Sequence, residues 1–132
     1  MPMSLTPHTG VVLVTGAASG LGEATARHFH ALGHPVVVFD RDAERADAVV
    51  ADLGDRAVAV VGSVIDEDDT RRAVDAATSL GELRVAVACA GGGEAAGRVV
   101  DRKGNPHDLA AFTKTLDLNV TGSFNTMRLA AA

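Results

Sequence analysis

The sequence of 132 residues contains no tryptophan, no tyrosine and a single cysteine, Cys89. Without tyrosine, no mechanism that needs a tyrosine acid or base can operate within this chain. One cysteine cannot form an internal disulfide, so the reducing cytoplasm is the expected compartment. Acidic residues outnumber basic ones by 17 to 12, which gives a net charge of −5. This acidity argues against a nucleic-acid partner or an anionic membrane surface, because both require a basic face.

Long apolar runs are also missing. No run approaches the roughly 20 residues that a membrane-spanning helix needs. The first ten residues, MPMSLTPHTG, lack a charged start followed by an apolar segment, so no secretory signal is expected. No internal repeat or low-complexity linker divides the chain. Residues 1–132 are therefore expected to form one domain, long enough to bury roughly two-thirds of the surface of the unfolded chain.

Short apolar runs alternate regularly with helical patterns along the chain. Strands are predicted at Val11–Thr15, Val36–Phe39, Ala57–Val61 and Arg84–Ala88, and helices at Glu23–Leu32, Asp42–Leu53, Asp66–Leu80 and from Leu109 to about Ala131. Near-continuous apolar strands joined through helices indicate parallel strands with right-handed crossovers. The pattern predicts an α/β fold, a doubly wound parallel sheet of Rossmann-like type with strand order 3-2-1-4. Ligands of such sheets lie at the carboxyl ends of the strands, where the order reverses between the first and fourth strands.

Four consecutive acids, Asp66–Asp69, open the third predicted helix. Acids in a first turn complement the helix dipole, and we prefer this explanation to a hard-cation site. Two ion pairs are predicted at a spacing of four residues, Glu67 with Arg71 and Asp68 with Arg72.

The spacing of the histidines and the surroundings of the cysteine predict neither a metal site nor a reactive thiol. His28, His30 and His34 are spaced at i, i+2 and i+6, which does not bring three ligands together, so no metal site is expected. Cys89 has no neighbouring His or Lys in the sequence to activate its thiol, so we expect it to pack beside a ligand.

A glycine-rich turn follows the first strand and has the form TGxxxGxG. Its candidate ligand-binding residues are Thr15, Gly16, Ser19, Gly20, Leu21 and Gly22. Gly16 allows a tight exit from the strand, and Gly20 and Gly22 permit close backbone approach. The N-terminus of the next helix then presents free N–H groups and a positive dipole end to a pyrophosphate. The strand before the turn, the helix after it and an acid beyond the next strand together indicate a dinucleotide site.

Asp40 is that acid, 18 residues beyond Gly22. A carboxylate at this place accepts hydrogen bonds from the ribose hydroxyls of adenosine and repels a 2′-phosphate. NAD is therefore predicted over NADP, although Arg41 follows directly. The alternative is that Asp40 only starts the turn that leads to the helix cap at Asp42.

Two further segments follow strands at the same edge of the predicted sheet. Ser63 and Val64 follow the third strand, whereas Cys89, Ala90 and Gly91 follow the fourth. We expect the first segment to border the adenine and the second to border the ribose on the nicotinamide side.

The TGxxxGxG turn, the spacing to Asp40, the segment Ala88–Gly91 and the segment Leu118–Gly122 (LNVTG) together resemble the short-chain dehydrogenase/reductase family. The resemblance runs from about Gly10 to the last residue. Within the family, the stretch from Arg102 to Phe112 and the helix LDLNVTGSFNTMRLAA are similar to the type 2 3-hydroxyacyl-CoA dehydrogenases. The resemblance implies NAD-dependent oxidation of a secondary alcohol, such as a 3-hydroxyacyl-CoA thioester or a hydroxysteroid, in a homotetramer.

Several residues match positions of the family's cofactor site. Ser19 and Leu21 match positions that contact the pyrophosphate side, and Asp40 matches the ribose carboxylate. Ser63 and Val64 match the adenine-pocket pair, where the family usually has Asp in place of the serine. The resemblance thus implies weaker hold on the adenine amino group here.

The catalytic positions match only in part. Cys89 and Gly91 lie in the family's N-x-A-G segment, whose leading asparagine is Ala88 here. Asn119 matches the asparagine of the family's catalytic tetrad, whose main-chain carbonyl orients a water in the proton relay. The serine and the Tyr-x-x-x-Lys pair of that tetrad have no counterpart. The chain by itself is therefore expected to lack dehydrogenase turnover.

The fourth strand is an apolar strand left at a sheet edge, and the last helix carries apolar positions without visible neighbours. These positions are Leu116, Leu118, Val120, Phe124, Met127 and Leu129. We expect the chain to be the N-terminal part of a longer enzyme, a truncated or cleaved product, or a subunit that pairs with another chain. A homo-oligomer through the last helix is the expected assembly.

Two other functions remain open from the sequence. One is a catalytically inactive module that senses NAD(H) or ADP-ribose in the same site. The other is an S-adenosylmethionine methyltransferase, which also uses a glycine turn and an acid after the second strand. The gap between Gly16 and Gly20 and the presence of Asn119 in its helix argue against the methyltransferase.

Overall fold

Four parallel strands in the order β3-β2-β1-β4 form the centre of the molecule, as the sequence predicts. The computed structural model describes residues 10–93 and 97–132. Its elements are β1 Val11–Thr15, α1 Gly20–Ala31, β2 Val36–Asp40, α2 Ala43–Leu53, β3 Ala57–Val61, α3 Glu67–Leu80, β4 Leu83–Ala88, α4 Leu109–Leu116, a π-helical segment Asp117–Thr121 and α5 Gly122–Ala130.

The strands end level with one another. Thr15, the last residue of β1, lies opposite Phe39 on one side and Ala88 on the other. Asp40 lies opposite Val61 at the end of β3. The loops that follow all four strands therefore open at one edge of the sheet, where ligands of such folds bind.

Alternate residues of the strands pack into two apolar layers, because successive side chains of a strand point to opposite faces. Val12 and Val14 of β1 belong to a cluster that includes Ala26 of α1 and Ala46 of α2. Leu13 belongs to the opposite cluster, which is closed by alanines of α3. Both faces of β1 are fully buried, which explains why its sequence is apolar without interruption.

Helix α1 begins at Gly20, three residues before the predicted start at Glu23. Ser19 is extended, and the N–H of Glu23 donates the first bond of the helical ladder to the carbonyl of Ser19 at 3.1 Å. Glycine has poor helix propensity and residues 20–22 carry no apolar periodicity, so the local sequence does not predict that the helix begins at Gly20. The glycine turn and the first turn of α1 are one structure.

The first turn of α3 corrects one predicted ion pair. Glu67 pairs with Arg71 at 2.6 Å, as predicted. Arg72 does not follow the prediction, because it pairs with Asp69 at 2.6 Å in place of Asp68 and also donates to the carbonyl of Val61 at 2.9 Å. The hydrogen bond to Val61 at the end of β3 directs the exposed Arg72 side chain toward the acid three residues away. Asp66 caps the helix by accepting from the N–H of Asp69 at 2.9 Å.

The predicted last helix is interrupted. Between α4 and α5, the N–H of Gly122 bonds to the carbonyl of Asp117, five residues back. The side-chain amide of Asn119 donates to the carbonyl of Thr115 at 2.8 Å, which takes up an acceptor that the α-helical ladder would use. Side-chain insertion of this kind is a known cause of π segments and bends.

Apolar positions of the last helical region divide into two groups. Leu129 is buried and Leu118 packs against the layer below the sheet. Four others are exposed: Leu116, Val120, Phe124 and Met127. Strand β4 pairs only with β1 among the described strands, and every second residue of β4 is exposed. Within the described residues, the expected open edge and open helix face are both present.

Candidate functional site

A cleft of about 660 Å³ lies at the carboxyl ends of the strands. The glycine turn after β1, Asp40 at the end of β2, the loop after β3 and the loop after β4 all contribute to its walls, and the last helical region closes one side. Of the twelve residues proposed for the cofactor, all but Thr15 line this cleft.

Thr15 has a different place. It is buried, and its hydroxyl accepts a hydrogen bond from the N–H of Ala90 at 3.1 Å. This bond joins the exits of β1 and β4, which are 75 residues apart in sequence. Thr15 therefore positions the loop after β4 from below the cleft.

Positions 16 and 22 require glycine, because neighbouring backbone segments approach both of them closely. Gly16 has φ +61°, and a Cβ there would lie 2.7 Å from the backbone nitrogen of Ala90. A Cβ on Gly22 would lie 2.0 Å from the carbonyl oxygen of Gly16. No side chain fits at either position without moving the backbone, so the start of α1 is held directly against the end of β1.

The N-terminus of α1 presents donors to the cleft. The N–H groups of Gly20, Leu21 and Gly22 precede the first ladder bond from Glu23, so they have no acceptor within the helix. The Ser19 side chain makes no capping hydrogen bond. A Cβ on Gly20 would meet nothing within 4 Å, so the space above this turn is open. Three backbone donors at a positive dipole end fit a pyrophosphate.

Asp40 is half-buried and its carboxylate joins two loops. One oxygen, Oδ2, accepts from the N–H of Ala18 at 3.0 Å, and the other, Oδ1, accepts from the N–H of Asp42 at 3.0 Å. Asp42 in turn caps α2 by accepting from Arg45 at 3.0 Å. Asp40 thus does start the turn toward the cap, and it also lines the cleft. A carboxylate oxygen can accept more than one hydrogen bond, so ribose hydroxyls remain compatible with these contacts.

The loop after β3 is held from below by α3. Asp69 accepts from the N–H of Ser63 at 2.9 Å, and a Cβ on Gly62 would lie 2.7 Å from Asp69 side-chain atoms. The pKa of Asp69 is lowered from its usual range, first by the Ser63 N–H and second by the hydrogen bond from Arg72. Asp69 is therefore a charged anchor for this wall of the cleft.

The loop after β4 is held by Asn119. Its Oδ1 accepts from the N–H of Gly92 at 3.1 Å, and its Nδ2 donates to the carbonyl of Gly92 at 2.5 Å. A Cβ on Gly91 would lie 2.7 Å from Asn119 Oδ1. The catalytic expectation concerned the main-chain carbonyl of Asn119, whereas its side chain has an observed structural function, which is to hold Gly92, directly after the segment Cys89–Gly91, against the π-helical segment.

Sequence reasoning missed part of the wall. Lys114, Thr115 and Leu118 line the cleft from α4 and the π-helical segment. Helical spacing offers a signal, because Thr115 lies four residues before Asn119 and Leu118 three residues after Thr115, on one helix face. Ile65, which also lines the cleft and is exposed, carried no such signal.

Within residues 10–93 and 97–132, no group of three His, Cys, Asp or Glu residues is arranged to hold a metal ion. His30 and His34 instead hydrogen bond through their rings to the carbonyls of Asp55 and Gly10. In the same described part of the chain, no helix has both the length and the apolar character needed to cross a membrane.

Comparison with known proteins gives concordant matches. The sequence model for short chain dehydrogenases matches residues 10–132. The 3-hydroxyacyl-CoA dehydrogenase type-2 proteins of Drosophila melanogaster and Homo sapiens are each 37% identical over 122 residues, which is 92% of this chain and 48% and 47% of theirs. The chain therefore spans about half the length of the curated relatives it matches.

Solved structures agree. A 3-hydroxyacyl-CoA dehydrogenase type-2 from Mycobacterium avium superposes with a TM-score of 0.91 at 44% identity, over 97% of this chain and 51% of that one. A 3-ketoacyl-(acyl-carrier-protein) reductase from Brucella melitensis, solved in complex with NADH, gives a TM-score of 0.73 at 31% identity, over 90% of this chain and 47% of that one.

Proposed function

Because this chain belongs to the short-chain dehydrogenase family of oxidoreductases, we propose that it is the NAD(H)-binding portion of an enzyme that oxidises a secondary alcohol. The substrate class that we propose first is a 3-hydroxyacyl-CoA thioester, with a hydroxysteroid as a related candidate. The type-2 3-hydroxyacyl-CoA dehydrogenases among the relatives support this choice.

One arrangement in the cleft carries the proposal. The free N–H groups at the start of α1 and the carboxylate of Asp40 face one cavity from adjacent strand ends. The first is suited to an anion, and the second to hydroxyl donors. A dinucleotide contains both groups, a pyrophosphate and a ribose, at a separation that this type of fold accommodates.

In the proposed complex, the strand order determines which part of NAD each wall of the cleft contacts. The N–H groups of Gly20, Leu21 and Gly22 would hold the pyrophosphate, and Asp40 would accept from the adenosine ribose. The β3 side of the cleft is then left for the base and the β4 side for the nicotinamide. When bound, NAD supplies the acceptor for a hydride. Asn119 holds the loop after β4 and thereby fixes the wall of the nicotinamide side.

Proton removal from the alcohol requires a base that these 132 residues do not provide in the expected form, because the chain contains no tyrosine. We propose that this base and the substrate pocket lie in a part of the complete enzyme outside these 132 residues. The cytoplasmic location stays a prediction from the single cysteine.

Calorimetric titration of the chain with NAD, NADP and S-adenosylmethionine tests the proposal. We expect NAD to bind more tightly than NADP, and S-adenosylmethionine to give no heat of binding. Binding of S-adenosylmethionine without NAD would indicate a methyltransferase site and would overturn the proposal.

The exposed face of the last helical region is proposed to associate with a second copy of the chain. Phe124 and Met127 are 61% and 57% exposed, next to Val120 on the same face. We expect Phe124→Glu to shift sedimentation toward the monomer, whereas Ala51→Glu, at an exposed position of α2, leaves it unchanged. A parent chain that sediments as a monomer at all concentrations contradicts this assembly.

A further inference from the structure

A buried asparagine on α5 is hydrogen bonded to the loop after β3. Asn125 is only 5% exposed, and its Nδ2 donates to the carbonyl of Val64 at 2.9 Å and to the hydroxyl of Thr70 at 3.0 Å. The Thr70 hydroxyl donates onward to the carbonyl of Asp66 at 2.9 Å. A single side chain therefore contacts the loop directly and through the first turn of α3.

The orientation of this amide is set by its other end. Asn125 Oδ1 accepts from Arg128 at 2.7 Å, and Arg128 also pairs with Glu67 at 2.9 Å. Because a guanidinium only donates, the amide oxygen must face Arg128 and the NH₂ group must face Val64. Oriented in this way, the NH₂ group satisfies the buried carbonyl of Val64.

Helix α5 also approaches the loop through its backbone. A Cβ on Gly122 would lie 2.5 Å from Cγ2 of Val64, so the backbone of α5 contacts the Val64 side chain directly and leaves no room for a side chain at position 122. Val64 is itself buried and lines the cleft. Its position is thus determined from two sides, by the Gly122 backbone and by the Asn125 amide.

The loop lies beside Asp40 on the β3 side of the cleft. The N–H of Gly62 donates to the carbonyl of Asp40 at 3.0 Å, and Ser63, Val64 and Ile65 follow along the cleft wall. If Asp40 accepts from the ribose, as the proposed function requires, the base on that ribose extends toward these three residues. Asn125 does not line the cleft, so any effect on the base would pass through the loop.

We propose that Asn125 is a positioning residue for the adenine half of NAD. It holds the loop at residues 62–65 in the conformation that receives the base, and it does so from a helix 61 residues later in the sequence. The inference rests on the proposed function and adds to it that α5 determines the affinity for adenosine.

The test compares dissociation constants of AMP and NAD, measured by calorimetry on the full chain. Asn125→Ala should weaken binding of both ligands about tenfold, the effect of one lost hydrogen bond that holds the loop. The matched control is Thr126→Ala, because Thr126 is equally buried but its hydroxyl donates only to Gly122 within α5. We expect the control to bind both ligands within about twofold of the parent.

Hydrogen exchange gives a readout that general destabilisation does not imitate. In Asn125→Ala, the amides of residues 63–66 should exchange faster, while the hydrogen-bonded amides of residues 23–26 in α1 keep the parent rate. In Thr126→Ala, neither group should change relative to the other. If Asn125→Ala does not fold, Arg128→Met takes its place in the test. This substitution removes the partly exposed donor to the Asn125 side-chain oxygen. It should weaken AMP binding about threefold.

The outcomes separate the two claims. A parent chain that binds neither AMP nor NAD overturns the proposed function, and this inference with it. A parent chain that binds both, with Asn125→Ala (or Arg128→Met in its place) at the parent affinity, overturns the role of Asn125 alone.

Discussion

Replacing Asp40 with alanine removes one carboxylate from three interactions. Two are visible: the N–H groups of Ala18 and Asp42 each lose an acceptor at 3.0 Å. The third is the proposed contact with the ribose. The substitution therefore lowers both the stability of the chain and its affinity for NAD, and the two effects have separate magnitudes.

The stability term follows from the two backbone donors. Each hydrogen bond to a charged acceptor contributes about 1.5–3 kcal/mol, so the loss of two of them in Asp40→Ala should lower the free energy of unfolding by about 3 kcal/mol, taking the lower end because the carboxylate is half-buried. The affinity term concerns the ribose hydrogen bond to the same charged acceptor and is again about 1.5–3 kcal/mol. That range predicts NAD binding weaker by about 10- to 100-fold. NADP should lose much less, since the carboxylate that repels its 2′-phosphate is gone.

Asp42→Ala is the matched control. It deletes the cap of α2, a hydrogen bond of 3.0 Å to Arg45, and should reduce stability by about 1 kcal/mol without changing the preference for NAD. Urea unfolding measures the stability term, and calorimetric titration with NAD and NADP measures the affinity term. The assignment of Asp40 to the ribose is refuted if the parent chain prefers NADP, or if Asp40→Ala loses stability but keeps its affinity for NAD.

Three other outcomes are expected. Gly22→Val should abolish NAD binding, because its Cβ would meet the Gly16 carbonyl at 2.0 Å, whereas Gly20→Ala, which has open space above it but a φ of +54°, should lose some stability and still retain measurable binding in the same titration. The parent should lose stability below about pH 4, because protons neutralise Asp69 at its lowered pKa. Measured by urea unfolding, Asp69→Asn should be less stable than the parent at pH 7 but should lose less stability over that acidic range. Production of NADH from a 3-hydroxyacyl-CoA by a mass-verified sample of the 132 residues is not expected, and its observation would place the base within this chain.

The direction of the pH effect follows from the sign of the pKa shift. The pKa of Asp69 is lower in the folded chain because the Ser63 N–H and Arg72 stabilise its charged form. The folded state then binds fewer protons than the unfolded state between the two pKa values, so stability is present above the unfolded value and declines as the pH falls through the folded one. Asparagine at this position does not titrate and removes that contribution.

The order of the strands and the location of the cleft were determined by the sequence itself. Continuous apolar strands such as Val11–Thr15 can only be buried on both faces, and parallel strands require crossover helices. These are local patterns, and they lead to the observed order 3-2-1-4. The helix cap at Asp42 was equally predictable, because a cap depends on neighbours within three residues.

The roles of individual polar side chains were decided by tertiary structure. Thr15 belongs to the glycine motif, yet its hydroxyl bonds to Ala90, 75 residues away. Arg72 pairs with Asp69 and not with Asp68, because the end of β3 also attracts it. Asn125 was not distinguished in the sequence at all, since a single asparagine on an otherwise mixed helix carries no periodic signal.

Periodicity and capping report on the few residues around a position, whereas a buried amide or hydroxyl is satisfied by whichever carbonyl the fold brings near it. The choice between Val64 and any other acceptor for Asn125 exists only after α5 has packed against α3, with Gly122 against the loop. The sequence by itself therefore determined where a dinucleotide can lie, and the tertiary structure determined which residues hold the walls around it.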